Sequence, residues 1–148
     1  RLFMFSTGTG IAPFASLMRD PDTYETYDEV YLTHTCREVA ELKYGQELTE
    51  TLMEDPLCGE EAQKQFRLYN SVTREDFPFQ GRITTLIENG KLFSDLGIPP
   101  LNVETDRAMI CGSMEMTKDI STILKGIGMK SGTNSRPAEY VVERAFVG

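Results

Sequence analysis

A short apolar run followed at once by a glycine turn is the feature that most constrains the fold of this chain. Residues 2–5 are continuously apolar, which is typical of a strand buried on both faces of a sheet. A segment rich in hydroxyls and glycine follows, and the helix expected at residues 13–19 begins with a proline, a residue well suited to a first helical turn. Because a helix N-terminus presents unpaired amides, this order predicts a binding site for an anion such as phosphate.

Strand-like and helix-like segments alternate along the rest of the chain. β-rich stretches are expected at residues 29–35, 65–72, 107–111 and 140–143. Helices are expected at residues 38–53, 83–89 and 114–125, with a further turn at residues 91–96. Parallel strands need crossover connections, which are usually helical. We therefore predict an α/β fold with three layers: a doubly wound, mostly parallel five-stranded sheet with helices on both faces.

The length and composition indicate one globular domain at residues 1–148. The chain is 40% hydrophobic, and no apolar run approaches membrane-spanning length, so membrane insertion is not expected. The net charge of −8 argues against nucleic acid as a partner, because a phosphate backbone needs a basic face. Three widely spaced cysteines favour the reducing cytoplasm over a disulfide framework or a zinc site, and no metal site is predicted. Since Arg1 already lies in the first expected strand, we interpret the chain as a piece of a longer protein.

The glycine turn is part of a dinucleotide-binding pattern. On a doubly wound sheet, ligands bind beyond the carboxyl ends of the strands, where the strand order reverses. Gly8 and Gly10 match the start of the pattern G-x-G-x-x-G, and Pro13 stands in place of its third glycine. The turn by itself leaves two interpretations open, since glycine turns before helices also occur for structural reasons alone.

An arginine follows the second expected strand, where NAD-binding proteins carry an acidic residue. That acidic residue accepts hydrogen bonds from the ribose hydroxyls. Here the strand ends in Cys36 and Arg37, and a guanidinium favours a 2′-phosphate because it offers a planar fork of donors. The alternative is an arginine that pairs with Glu38 or is simply solvated at a helix start.

Two more arginines follow expected strands or loops in the same way. Arg74 comes directly after the third strand, and Arg82 follows the next loop. Each is also accounted for by a purely structural role, since Arg74 has Glu75 and Asp76 as neighbours and Arg82 is able to cap a loop. Together with Arg37, these side chains predict a binding site for a 2′-phosphate in an otherwise acidic chain.

The fourth expected strand ends in a cysteine and a pair of small residues. Gly112 and Ser113 begin the next helix and offer a second place where backbone approaches a ligand. Cys111 is expected to face the same crevice, although a small buried cysteine with a purely structural role is the alternative. His34 is the only histidine and is expected to be a packed or edge residue, so Cys–His catalysis has little support.

Six motifs in combination resemble a known family. They are STGTGIAPF, HTCREVAEL, SVTRE, GRIT, CGSMEM and VVERAFVG. From residue 1 to residue 148 the chain resembles the NADP-binding half of bacterial ferredoxin (or flavodoxin)–NADP reductases, within the plant-type flavoprotein superfamily. The resemblance implies a two-domain enzyme whose upstream FAD-binding β-barrel is absent here. It also implies hydride transfer between NADP(H) and FAD and one-electron exchange with ferredoxin or flavodoxin. We expect a monomer.

The resemblance also implies roles for individual residues. Thr7 is implied to contact the flavin, and the dinucleotide pyrophosphate is implied to lie in the turn of Gly8, Thr9, Gly10, Ile11, Ala12 and Pro13. The adenosine 2′-phosphate end is implied to be held by Cys36, Arg37, Thr73, Arg74 and Arg82. The path of NADP is implied to be lined by Gly112, Ser113, Met114, Glu115 and Met116. Cys111 is implied to lie near the nicotinamide and is our candidate catalytic residue, and the FAD is implied to be covered by Ala145 and Phe146, with the tail as a gate.

Two other functions remain open at this stage. Within the superfamily, the parent protein is alternatively an NADPH-dependent flavin reductase or the reductase component of an oxygenase or cytochrome system. Outside it, the same fold serves non-catalytic nucleotide-sensing modules, because fold alone does not give function. If the parent protein has no FAD barrel upstream, the enzyme interpretation fails and the second alternative is favoured.

Overall fold

The sheet of this protein is parallel throughout the part of the chain that the structure describes. In this computed structural model, residues 1–133 and 135–143 are described. Five strands pair in the order β3-β2-β1-β4-β5: β1 (Leu2–Thr7), β2 (Val30–Cys36), β3 (Phe66–Val72), β4 (Arg107–Cys111) and β5 (Tyr140–Val142). The chain starts in the middle of the sheet, moves to one edge, and returns to the other side of β1. The predicted doubly wound α/β fold is confirmed.

Helices connect the strands on both faces of the sheet. In the described part of the chain they are α1 (Phe14–Met18), α2 (Pro21–Thr26), α3 (Lys43–Met53), α4 (Gly59–Gln65), α5 (Ile83–Glu88), α6 (Lys91–Leu96) and α7 (Met114–Gly126), with 3₁₀ turns at Gly8–Ile11 and Val39–Leu42. Residues of α1 to α4 pack in one core, and residues of α5 to α7 pack in another. None of the described helices is long and apolar enough to cross a membrane.

The continuous apolar run of β1 is explained by its central position. Leu2 and Met4 pack in the core on the α1–α4 face, whereas Phe3 and Phe5 pack in the core on the opposite face. Successive side chains of a strand point to opposite faces, so a strand covered on both faces favours apolar residues at successive positions. Phe3 and Phe5 are fully buried, and their rings stack with centroids 5.9 Å apart.

Two short helices, α2 and α4, were not expected from the sequence. Helix α2 carries a start signal, since the Asp20 carboxylate accepts a hydrogen bond from the amide of Asp22 at 3.0 Å and a proline follows Asp20. The expected break before α4 is a tight turn in which Asp55 accepts hydrogen bonds from the amides of Leu57 and Cys58 at 2.8 and 3.1 Å. Both helices are too short to show a clear apolar period, so only their local start signals were available in the sequence.

A buried ion pair closes the end of the sheet opposite to the strand carboxyl ends. Asp106 is fully buried directly before β4, and Arg1 donates from Nε and Nη2 to its two carboxylate oxygens at 2.8 and 2.6 Å. The amide of Asn102 donates to the same carboxylate at 2.8 Å. Burial alone raises the pKa of Asp106, but the bonds from Arg1 and Asn102 outweigh it, so the pKa lies below its ordinary value.

Candidate functional site

A cleft of about 1490 Å³ opens at the carboxyl ends of the strands. It lies where the strand order reverses, between β1 and β4, which is the expected ligand position for an open parallel sheet. Most of the predicted site residues line it: Thr7, Gly8, Thr9, Gly10, Cys36, Arg37, Thr73, Arg74, Arg82, Gly112, Ser113, Met114, Glu115 and Met116. The fold thus brings five separate segments of the sequence into one site.

Some of the predicted site residues do not line this cleft. Ile11 is fully buried in the core, Ala12 is exposed, and Pro13 is half-buried as the N-cap residue of α1. Helix α1 therefore begins one residue later than predicted. Ala145 and Phe146 lie outside the described residues, so their predicted place against a flavin stays a prediction.

Two glycines allow the loops after β1 and β4 to touch. A Cβ added at Gly10 would lie 2.7 Å from both the carbonyl carbon of Cys111 and the Cα of Gly112. A Cβ at Gly112 would lie 2.5 Å from the Cε of Met116 and would also meet the hydroxyl of Thr7. That hydroxyl accepts a hydrogen bond from the amide of Ser113 at 3.0 Å, which joins the two strand ends directly. Only residues without a side chain fit at this crossing.

His34 contacts the main chain of the glycine turn, and the sequence did not predict this contact. His34 is 1% exposed, as expected for a packed residue, and its Nε2 lies 2.8 Å from the carbonyl oxygen of Gly8. Burial lowers the pKa of His34, so the ring is neutral near pH 7, and we assign its proton to Nε2 because a carbonyl only accepts. The only sequence signal for this role was a lone histidine two residues before Cys36.

The Cys36 thiol lies beside the same histidine. Its Sγ is 3.3 Å from the Nε2 of His34, and the side chain reaches the edge of the cleft. Burial raises the pKa of Cys36 to about 11, so the thiol stays protonated at neutral pH. A thiol in this state is a weak nucleophile, and the His34–Cys36 contact therefore packs the cleft floor rather than forming a catalytic pair.

Main-chain hydrogen bonds continue beyond the ends of β2 and β3 and place two arginines side by side. The amide of Thr73 donates to the carbonyl of Cys36 at 3.1 Å, and the amide of Arg74 donates to the carbonyl of Arg37 at 2.9 Å. Among the described residues, neither of these two arginine side chains has a hydrogen-bond or ion-pair partner. The neighbouring Glu38 instead forms a capping box with Glu41 at the following 3₁₀ turn.

Arg82 is brought to the same cleft by a loop that folds back on β3. The amide of Gly81 donates to the carbonyl of Val72, the last residue of β3, at 2.9 Å. The Arg82 side chain does not cap α5; its Nη2 donates to the Oε1 of Glu115 in the first turn of α7 at 2.7 Å. This ion pair across the cleft is not the loop-capping role that the sequence left open, and the predicted phosphate contact of Arg82 stays a prediction.

Cys111 is buried beneath the crossing of the two loops. Its side chain is 1% exposed and belongs to the core on the α1–α4 face, and its main-chain carbonyl is the group that abuts Gly10. Cys111 is not among the residues that line the cleft, in contrast to the expectation that it faces the crevice. Its predicted contact with a nicotinamide stays a prediction.

Comparison with known proteins identifies relatives along the whole chain. It is 55% identical over 148 residues to a flavodoxin/ferredoxin–NADP reductase of Rhodobacter capsulatus, covering 100% of this chain and 55% of that protein. It is 46% identical over 147 residues to ferredoxin–NADP reductase A of Sorangium cellulosum, covering 99% of this chain and 53% of that protein. The chain thus spans about half the length of these relatives. The resemblance to bacterial ferredoxin–NADP reductases is confirmed.

A solved structure has the same fold over nearly the whole chain. It is a ferredoxin NADP⁺ reductase from Neisseria gonorrhoeae with bound FAD and NADP, which matches with a TM-score of 0.80 and 30% identity over 98% of this chain and 56% of that one. The family model described as "Oxidoreductase NAD-binding domain" matches residues 4–122, which include the glycine turn and the start of α7. That match covers well over half of the chain, which therefore belongs to the oxidoreductase NAD-binding domain family.

Proposed function

We propose that this chain is the NADP(H)-binding part of a ferredoxin– or flavodoxin–NADP reductase. The observation that carries the proposal is the convergence of Arg37, Arg74 and Arg82 in one cleft with the glycine turn. The guanidinium groups of Arg37 and Arg74 are exposed and have no partner among the described residues, so their donors are available to an anion. The names of the relatives from R. capsulatus and S. cellulosum support the assignment.

The position of the arginines indicates which dinucleotide binds. An acidic residue after β2 would accept hydrogen bonds from the ribose hydroxyls of NAD, but it would repel a 2′-phosphate. Arg37 stands there instead, beside Arg74, and a phosphate dianion placed between them would receive donors from two sides. The glycine turn, which lines the same cleft, leaves room for the pyrophosphate, because Gly8 and Thr9 are exposed.

The chain's contribution to the reaction is to position the nicotinamide. FAD, held mainly by the rest of the parent protein, would supply the site that exchanges a hydride with the nicotinamide. Thr7, Gly112 and the first turn of α7 form the wall of the cleft nearest to the β1–β4 crossing, where that ring would lie. Holding the 2′-phosphate at one end and the ring at the other fixes the distance between the reacting atoms, which is worth more to the rate than any acid or base.

The same proposal includes the partners and setting of the whole enzyme. Ferredoxin or flavodoxin would exchange single electrons with the flavin, and the enzyme would act as a monomer in the cytoplasm. The described cysteines, Cys36, Cys58 and Cys111, are all buried and none of them forms a disulfide, which fits a reducing compartment.

Replacing either Arg74 or Arg82 by alanine tests the proposed function. Each substitution removes a charge-assisted hydrogen bond worth about 1.5–3 kcal/mol. We expect the dissociation constant of NADP⁺ to rise by about one to two decades, and that of NAD⁺ to stay nearly unchanged. Isothermal titration calorimetry on the intact protein measures both.

The matched control for this test is Arg136→Ala. Arg136 is exposed and lies outside the cleft, so its loss changes the net charge equally without touching the site. It is expected to leave both affinities unchanged. Equal losses for NADP⁺ and NAD⁺ in the Arg74 and Arg82 variants would show that these side chains do not hold a 2′-phosphate.

Cys111→Ala tests the predicted catalytic role of the buried thiol. If the thiol packs against the wall that positions the nicotinamide, we expect hydride transfer in stopped-flow experiments to slow several-fold, while NADP⁺ affinity changes little. Cys111→Ser, which keeps nearly the same volume, is expected to recover most of the rate. A transfer rate equal to that of the unmodified enzyme would leave Cys111 with a packing role only.

A further inference from the structure

Glu115 forms an ion pair with Arg82, an arginine that the proposed function assigns to a phosphate. Its Oε1 lies 2.7 Å from the Nη2 of Arg82, and the two side chains are 68% and 59% exposed. Arg82 precedes α5, whereas Glu115 lies in the first turn of α7, so the pair bridges two separate elements that line the cleft. In the described part of the chain, it is the one ion pair formed by an arginine of the cleft.

Stability does not explain this ion pair. Exposed pairs contribute little to folding, because solvent screens the charges and ordering two long side chains costs entropy. The N-terminus of α7 is already capped by Ser113, whose Oγ accepts a hydrogen bond from the amide of Met116 at 3.2 Å. Neither the fold nor the helix start requires an acidic residue that reaches across to Arg82.

Acidic residues line the cleft together with the cationic side chains of Arg37, Arg74, Arg82 and Lys118. Besides Glu115, four acidic residues line the cleft: Glu38, Glu41, Asp119 and Glu143. A carboxylate and a phosphate use the same kind of N–H donor of a guanidinium. A phosphate that binds the Arg82 donor held by Glu115 must therefore replace that carboxylate, which also repels the phosphate as it approaches.

We propose that Glu115 pairs with Arg82 when no nucleotide is bound and is displaced by the 2′-phosphate, so that it determines how tightly phosphorylated nucleotides bind. This inference rests on the proposed function of the cleft. Phosphate binding at Arg82 is then an exchange of one anion for another, and Glu115 weakens binding and favours release. A ligand without a 2′-phosphate leaves the Arg82–Glu115 pair intact and gains nothing from its removal.

Glu115→Gln in the intact protein is the direct test. The probes are 2′,5′-ADP, which carries the 2′-phosphate, and 5′-AMP, which lacks it, titrated at one fixed ionic strength by calorimetry. We expect the dissociation constant of 2′,5′-ADP to fall about two- to fivefold, the range that corresponds to loss of one exposed competing pair. The affinity for 5′-AMP is expected to stay the same.

Two further variants show whether such a change depends on Arg82 and is independent of net charge. Glu88→Gln on α5 removes an exposed carboxylate outside the cleft and is expected to have no effect, which controls for the change in net charge. In an Arg82→Ala background, Glu115→Gln is expected to lose most of its effect, because the competition requires Arg82.

The sign of the change decides between the possible roles of Glu115. Unchanged affinity for 2′,5′-ADP would overturn the inference, and so would weaker binding, which would mean that Glu115 orients Arg82 for the ligand. A wild-type protein that binds 2′,5′-ADP no better than 5′-AMP would overturn the proposed function itself, and this inference with it.

Discussion

Gly10→Ala is expected to weaken the binding of NADP⁺ and NAD⁺ alike, by tenfold or more, and to lower the thermal stability of the protein. A Cβ at this position would lie 2.7 Å from two backbone atoms, the carbonyl carbon of Cys111 and the Cα of Gly112. Backbone atoms of a central strand end do not move aside as a flexible side chain does, so the glycine turn must shift away from β4. Overpacking of this kind costs about 1–3 kcal/mol.

The effect on binding follows from the same displacement. The turn would hold the pyrophosphate, which NADP⁺ and NAD⁺ share, so the loss is not selective, in contrast to the loss expected for the arginine variants. A shift of about 1 Å at a positioning element is enough to cost two orders of magnitude in a reaction that depends on alignment. Calorimetric titration with both dinucleotides, together with a thermal scan of the intact protein, measures the two consequences.

Gly126→Ala is the matched control for this prediction. A Cβ there meets nothing within 4 Å, and the residue is the last of α7, where alanine is tolerated. It is expected to leave both affinities and the melting temperature close to their original values. A Gly10→Ala protein with unchanged affinity for both dinucleotides would show that the crossing of the two loops does not position the cofactor.

The sequence predicted the sheet because its strands carry strong local signals. β4 begins and ends where expected, at Arg107 and Cys111, and β1 is recognisable from its unbroken apolar run. The parallel arrangement of the strands followed from the alternation with helices rather than from any single residue. Helices α2 and α4 were missed because six or seven residues are too few for a periodic pattern.

The candidate site was predictable in its composition and not in its internal contacts. Arg37, Arg74 and Arg82 were recognisable because each follows a strand or a loop at the expected edge of the sheet. The contact of His34 with Gly8 spans 26 residues of sequence, and that of Arg82 with Glu115 spans 33. No local pattern encodes such a pairing, because it depends on strand register and on the placement of α7 across the cleft.

Asp106→Asn is expected to lower the free energy of unfolding by about 3–5 kcal/mol at pH 7, the usual cost of breaking a buried ion pair on one side. Asp106 is fully buried, and the Arg1 side chain is 11% exposed, so the arginine would be left nearly buried without its carboxylate. An asparagine keeps the shape and one acceptor oxygen but leaves no counter-charge for the guanidinium. Differential scanning calorimetry of the intact protein measures the loss.

The pH dependence of that loss separates the ion pair from simple packing. The pKa of Asp106 is lowered in the folded protein, with the bonds from Arg1 and Asn102 outweighing the opposing effect of burial. Its charge therefore contributes stability above the unfolded pKa of about 3.9, and this contribution is lost as the pH falls through the lower, folded pKa. The difference between wild type and variant should accordingly narrow below about pH 4.

The other groups that titrate in acid are the same in wild type and variant. Their contributions therefore cancel in the difference between the two free energies of unfolding. Glu104→Gln is the matched control, because it removes one exposed carboxylate from the same loop and is expected to change stability by no more than about 0.5 kcal/mol at any pH. If Asp106→Asn lowers the free energy of unfolding by the same amount at pH 7 and in acid, the side chain acts through its shape alone. Because the pair lies at the end of the sheet opposite to the cleft, the variant is also expected to bind NADP⁺ normally while it remains folded.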